Sequence, residues 1–295
     1  MSETGPGPAV EIRTRRISTN GVSLEVAEAG PDDGPLALLL HGFPEFREGW
    51  RYQIGPLASA GFRVVVPDQR GYNRSDKPKG IASYALDVLV EDAVGLLDAL
   101  GRERASVIGH DWGGIVAWGA IARHPGRFDS AVILNAPHPD AMLREIKANP
   151  AQLLKSWYAL AFQIPWLPER LLSRDGFRGL ARSMAASSRP GTFSEADLDR
   201  YRRAWSEPGA MTAMVNWYRA GLRIPHAPWP DPLIRVPTLM IWGAKDRFLG
   251  PGVARSSFAL CESARLEWID EATHWVQHEE PERVNRLILD FLATT

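Results

Sequence analysis

Gly109-His110-Asp111-Trp112-Gly113-Gly114 follows a short apolar run at 106–108 and opens a helical stretch at 115–122. Glycines flanking a strand-to-helix turn let two backbones approach where a Cβ would collide. The residue between them is thrust outward at the helix N-terminus, the geometry of a nucleophile elbow. Here that residue is Asp111. A helix N-terminus carries partial positive charge and favours a carboxylate. Asp111 is therefore expected to be ionised and to need no base to activate it. Aspartate is also an excellent helix cap, so the elbow alone leaves a structural role open.

Outward from the elbow, strand-like and helix-like stretches alternate. Residues 22–27 alternate apolar and polar, and 36–40, 64–66, 131–134 and 238–242 are short continuous apolar runs. Such runs suit parallel strands covered on both faces. Leu86, Leu89, Val90, Ala93, Leu97 and Leu100 recur at helical spacing up to Gly101, a helix stop; Leu287, Ile288 and Phe291 repeat the spacing. The alternation predicts an α/β protein with a mostly parallel, doubly wound sheet. From 139 to 229 the pattern turns helical and aromatic. Pro137 and Pro139 precede this stretch, and Pro225, Pro228, Pro230, Pro232 and Pro237 follow it. The expected organisation is a core of residues 1–138 and 230–295 with a helical cap, 139–229, inserted in it.

Two partners for Asp111 stand at strand ends. Asp246 closes Trp242-Gly243-Ala244-Lys245-Asp246, and His274 lies in Ala272-Thr273-His274-Trp275 after the strand-like 265–269. The order nucleophile, acid, histidine is that of the α/β-hydrolase fold. Open α/β sheets build their sites at such strand ends. Asp270 is a rival orienter of His274, ranked below Asp246 because Asp246 follows the clearer strand. The loop His41-Gly42-Phe43-Pro44-Glu45 follows the run 36–40. It can aim the N–H of Phe43, with that of Trp112, as an oxyanion hole. Phe43–Pro44 is a candidate cis bond.

The motifs His41-Gly-Phe-Pro-Glu, Gly109-His-Asp-Trp-Gly-Gly, Asn135-Ala-Pro-His-Pro, Asn216-Trp-Tyr-Arg and Thr273-His-Trp resemble the α/β-hydrolase-fold epoxide hydrolases. The likeness runs from about 22 to 292. It implies that Asp111 attacks a saturated carbon and forms an alkyl ester, which water activated by His274, oriented by Asp246, then hydrolyses. An epoxide oxygen leaves as an alkoxide and needs an acid, whereas a halide does not. The stripe Met211, Met214, Val215, Tyr218 and Leu222 turns Tyr218 toward apolar surroundings. The resemblance makes Tyr218, and Tyr158 in Ser156-Trp157-Tyr158-Ala159, the two proton donors. Trp112, Trp157, Trp217 and Trp275 are expected to wall an apolar substrate pocket. His138 is expected to support the cap entry and His110 to be structural.

Haloalkane and haloacetate dehalogenases, which share an aspartate nucleophile, are the alternative. Fluoroacetate dehalogenases typically follow the nucleophile with Arg, where this chain has Trp112. Haloalkane dehalogenases usually place Asn after His-Gly, where this chain has Phe43. A non-catalytic binding protein of the same fold would show a broken triad, and here every member is present.

The chain has 295 residues, 45% hydrophobic and 23% charged, with 34 basic and 35 acidic residues and a net charge of −1. A near-neutral chain without a basic run argues against a nucleic-acid partner. Cys261 is the only cysteine, which excludes an internal disulfide and a thiolate metal cluster. No metal or other cofactor is expected. No stretch has the ~20 apolar residues of a membrane span, and the polar start lacks a secretory leader, so a cytoplasmic location is expected. The expected partners are a small apolar epoxide and water, with the chain a monomer or homodimer.

Overall fold

The structure is a computed structural model and describes residues 10–295. The polar start, residues 1–9, on which the expectation of no secretory leader rests, lies outside the described residues. Eight strands form one sheet in the order β1-β2-β4-β3-β5-β6-β7-β8. β3 (Leu36–Leu40), β4 (Arg63–Pro67), β5 (Ala105–His110), β6 (Phe128–Leu134), β7 (Thr238–Gly243) and β8 (Ala264–Ile269) run parallel. β2 (Val22–Ala29) is antiparallel to β4 and to the edge strand β1 (Arg13–Thr19).

Every residue of β3 and of β7 is buried, as the continuous apolar runs require. Successive side chains of a strand point to opposite faces, and here they enter two different cores. Leu36, Leu38 and Leu40 pack with α2 (Leu86–Ala99) and α3 (Trp112–Arg123). Ala37 and Leu39 pack with α1 (Arg51–Ser59) and α13 (Pro281–Leu292). The sheet is therefore covered on both sides, as a mostly parallel sheet must be.

Between β6 and β7 the chain runs through α4 (Pro139–Ala148), α5 (Pro150–Lys155), α6 (Trp157–Ala161), α7 (Leu167–Leu172), α8 (Arg174–Ser187), α9 (Glu195–Trp205) and α10 (Ala210–Arg223). His138 caps α4: its Nδ1 accepts the N–H of Asp140 at 3.2 Å. Ser194 and Asp197 form a capping box on α9, which satisfies two otherwise orphan backbone donors. α11 (Pro251–Phe258) and α12 (Val276–Glu279) complete the helices near the carboxyl ends of β7 and β8. Among the described residues no helix is long and apolar enough to cross a membrane.

Candidate active site

β5 ends at His110 and α3 begins at Trp112, so one residue makes the whole turn. That residue, Asp111, has φ 50° and ψ −123°, a conformation a non-glycine residue adopts only under constraint. The flanking glycines make it possible. A Cβ on Gly109 would lie 2.5 Å from the Gly113 carbonyl oxygen, and one on Gly113 would run into the Leu40 carbonyl. Elbow and β3 thus touch backbone to backbone, which brings the loop after β3 over Asp111. The N–H of Phe43 donates to Asp111 Oδ1 at 2.8 Å. The Phe43–Pro44 peptide is cis.

The loops after β7 and β8 supply the other two charges. His274 Nδ1 donates to Asp246 Oδ2 at 2.8 Å, and its Nε2 lies 3.5 Å from Asp111 Oδ2. Asp270, the rival orienter, is exposed at the surface. Asp246 is buried, yet its Oδ1 accepts the N–H groups of Phe248 and Leu249 at 2.7 and 2.9 Å. Burial alone would raise its pKa; the charge of His274 and these hydrogen bonds bring it below the usual carboxylate range. Burial alone would lower the pKa of His274. The two carboxylates outweigh it, and the imidazole is pushed up to about 10. The two flanking carboxylates thus favour the charged form of the imidazole between Asp246 and Asp111.

Across from the carboxylate stand Tyr158 of α6 and Tyr218 of α10. Both line a cavity of about 500 Å³ with Asp111, His274, Phe43 and Trp275. A second cavity, about 250 Å³, meets Asp111, Tyr158 and Tyr218 from the other side, along Trp112 and Leu222. The two tyrosine rings pack edge to face, centroids 5.8 Å apart, and Tyr218 abuts Phe43 and Trp112 at 5.1 Å each. Burial, followed by nearby negative charge, raises both phenol pKa values. Both therefore hold their protons at any ordinary pH. A carboxylate, a buried histidine–carboxylate pair and two protonated phenols facing one apolar cavity can attack a carbon, activate water and protonate a leaving oxygen.

The sequence pattern of the alpha/beta hydrolase fold family matches residues 35–281. The chain is 47% identical over 281 residues to the AB hydrolase superfamily protein YfhM of Bacillus subtilis, covering 95% of this chain and 98% of that one. It is 38% identical to human epoxide hydrolase 4, covering 94% of this chain and 77% of that protein. The crystal structure of a Bacillus megaterium epoxide hydrolase with an inhibitor superposes with a TM-score of 0.87 at 32% identity, covering 95% of this chain and all of that one. The chain belongs to the epoxide hydrolase family of the α/β-hydrolase fold.

The four tryptophans singled out in this epoxide hydrolase family member fall in different places. Trp112 lines the smaller cavity and Trp275 the larger; the Trp275 indole N–H donates to Ser187 Oγ at 3.0 Å. Trp157 stands at the rim of the larger cavity, mostly exposed. Trp217 is fully buried behind Trp112 and Tyr72, with its indole N–H on the Arg70 carbonyl at 3.0 Å, and it lines neither of these cavities.

Two residues of the quoted motifs, to which the sequence assigns no role, support the site. Asn135, just after β6 with φ 40°, donates from Nδ2 to Asp246 Oδ2 at 2.7 Å and accepts the Gly243 N–H at 2.9 Å. Glu45 is buried beneath the elbow. Its Oε1 accepts from His278 at 2.6 Å and from the Tyr201 hydroxyl of α9 at 2.8 Å. Its Oε2 accepts from Gln277 at 3.0 Å and lies 3.2 Å from His110 Nδ1. His110 Nε2 in turn donates to the His274 carbonyl at 2.9 Å. Burial alone would make Glu45 neutral; His278 and His110 hold its pKa well below the usual range.

Proposed function

We propose that this protein hydrolyses an apolar epoxide to a vicinal diol through an alkyl ester on Asp111. The observation that carries the reading is the pair Tyr158 and Tyr218 sharing one apolar cavity with Asp111 and His274. A halide leaves without a proton; an alkoxide requires an acid.

Asp111 Oδ2 attacks an epoxide carbon while Oδ1 stays on the Phe43 N–H. The C–O bond breaks, and the oxygen takes a proton from the tyrosine pair. That proton is replaced from His274. Ester formation removes the charge of Asp111, one of the groups that raise the His274 pKa, so the imidazole becomes a base at this stage. Neutral His274, held by Asp246, then takes a proton from water, and the resulting hydroxide attacks the ester carbonyl carbon. Oδ1 becomes the oxyanion, held by the N–H of Phe43 and, as the second donor, that of Trp112. The intermediate collapses, the hydroxyl proton passes to the departing diol oxygen, and carboxylate and imidazolium are restored. Trp112 and Trp275 wall the substrate, Trp157 edges its entrance, and Trp217 supports Trp112 from behind. The helices of residues 139–229 act as a cap on the core of residues 1–138 and 230–295.

The route predicts where oxygen goes. In a single turnover in heavy-oxygen water the diol carries an unlabelled oxygen from Asp111, and the label stays on the protein. Solvent label in the diol of that first turnover would overturn the covalent route. Asp111→Asn abolishes turnover while the fold persists. Chloro- and fluoroalkanes tested beside styrene-oxide-like and fatty epoxides discriminate against dehalogenation.

A further inference from the structure

The rim of the larger cavity continues onto an apolar surface that nothing in the catalytic site uses. Leu153, Leu154, Trp157 and Leu160, on the consecutive short helices α5 and α6, are all exposed. Leu154 is 73% exposed, Trp157 65% and Trp166, in the turn before α7, 66%. Leu171 of α7 is also exposed, and with Trp157 it lines the cavity, so patch and cavity mouth are continuous. A soluble surface seldom leaves so many large apolar side chains together without a partner.

The charge around the patch points to what that partner is. Segment 143–182 holds seven basic residues and three acidic ones, in a chain whose net charge is −1. Arg144, Lys147, Arg170, Arg178 and Arg182 are exposed, and among the described residues none of them forms a salt bridge. Exposed arginines elsewhere are of both kinds: Arg13 pairs with Asp32 and Arg16 with Asp76, whereas Arg203, Arg255 and Arg286 form no salt bridge among the described residues. The acidic residues of the segment are engaged: Glu169 with Arg219, Asp175 with Arg174 and Glu145 with Ser256. Exposed tryptophans and leucines in one segment with an excess of exposed, unpaired cations match a headgroup layer of anionic lipid over acyl chains. Tryptophan favours that boundary because it is apolar with one polar N–H.

We propose that the face formed by α5, α6 and the turn into α7 docks on an anionic lipid bilayer, with the cavity mouth turned toward the membrane. Docking itself does not depend on the assigned reaction. Its consequence does: an apolar epoxide dissolved in the bilayer enters the site without crossing water.

The test is sedimentation of the full chain with phosphatidylglycerol-rich vesicles and with pure phosphatidylcholine vesicles, at low and high salt. Binding is expected to the first, weakened by salt, with a blue shift of tryptophan emission. Arg178→Glu with Arg182→Glu lowers partitioning roughly 25-fold or more, at about fivefold per basic residue at such a surface. Leu154→Ser with Trp166→Ser weakens binding and diminishes the emission shift, Trp157 being left on the face. Neither double variant changes turnover of a water-soluble epoxide, because none of these residues belongs to the site. The proposal is overturned if phosphatidylglycerol vesicles fail to sediment the wild type at low salt, or if both double variants bind as it does. It is also overturned if sedimentation velocity shows a dimer that Leu154→Ser with Trp166→Ser splits into monomers, since a second copy then covers the face.

Discussion

Replacing Asp246 with asparagine keeps the side-chain shape and reverses half of its hydrogen bonding. The carboxylate accepts from His274, from Asn135 and from two backbone N–H groups, at 2.7 to 2.9 Å. An amide has one oxygen and one NH2, so whichever way it turns, two donors face its NH2. With the oxygen on the backbone, the NH2 confronts Asn135 and His274. The imidazole must then shift its proton from Nδ1 to Nε2, and an Nε2–H cannot take a proton from water. By analogy with a carboxylate-to-amide change in a Ser-His-Asp triad, ester hydrolysis falls by about 10⁴. Attack by Asp111 needs no base and is far less affected, so the alkyl ester accumulates. Two reversed buried contacts at about 1–3 kcal/mol each also lower stability by roughly 2–6 kcal/mol. Stopped-flow tryptophan fluorescence separates ester formation from hydrolysis, and intact mass reads the adduct. Hydrolysis at near the wild-type rate, with no adduct, would refute Asp246 as the orienter of His274.

Other outcomes follow from the same geometry. Tyr158→Phe with Tyr218→Phe keeps both rings and loses epoxide opening nearly completely at unchanged Tm, with each single variant down roughly 10²- to 10³-fold; near wild-type ring opening by the double variant would make the phenols ordinary packing residues. His274→Gln leaves the ester on Asp111, visible as a protein mass increase equal to the substrate. His274 is raised in the fold from 6.5 to about 10. The stability it contributes is therefore complete below about pH 6.5 and is lost as pH rises toward 10. The wild-type Tm should fall more steeply over that range than the Tm of His274→Gln, and parallel slopes would contradict the charged pair. Asn135→Ala leaves Asp246 Oδ2 with one partner fewer and lowers kcat more than it raises KM, the mark of a positioning residue; a change in KM alone would place Asn135 on the substrate instead.

The strands at 36–40, 64–66, 131–134 and 238–242 were legible because a strand buried on both faces must be continuously apolar, and short apolar runs announce it. The elbow was legible because its glycines are demanded by backbone contact with β3. β1 was not, since Arg-Thr-Arg-Arg-Ile-Ser-Thr lies mostly in solvent at the sheet edge and has no apolar rhythm. Its signal was the Asn20-Gly21 pair before β2, with φ 41° and 74°, the residues a tight hairpin favours. Trp217 shows a limit of motif proximity. It adjoins Tyr218 on α10, but neighbours on a helix point about 100° apart, and here Trp217 turns to Tyr72, Trp112 and the Arg70 carbonyl while Tyr218 lines the cavity. Asn135 and Glu45 stand in motifs the sequence displays, but their roles were not legible because their partners lie far along the chain, at Asp246 for one and at Gln277 and His278 for the other. Only closure of the sheet says who stands opposite.

The buried Glu45 also limits how the site can open. Its four neighbours come from the elbow, from α12 and, through Tyr201, from the helices between β6 and β7. Trp205, one turn further along α9, adds an indole N–H bond to the Pro44 carbonyl. Lifting α9 as a rigid lid would strip a buried anion of the Tyr201 hydroxyl and leave that carbonyl unsatisfied, a cost of several kcal/mol on each catalytic cycle. The route of least work for substrate entry and product exit is at the opposite margin, where α5 to α7 hold Trp157 and Leu171 in solvent. α9 is thus tied to the elbow by Tyr201 and Trp205, whereas Trp157 and Leu171 at the cavity rim are exposed. The same anchor binds the helical layer to the sheet, so the two should melt in one transition.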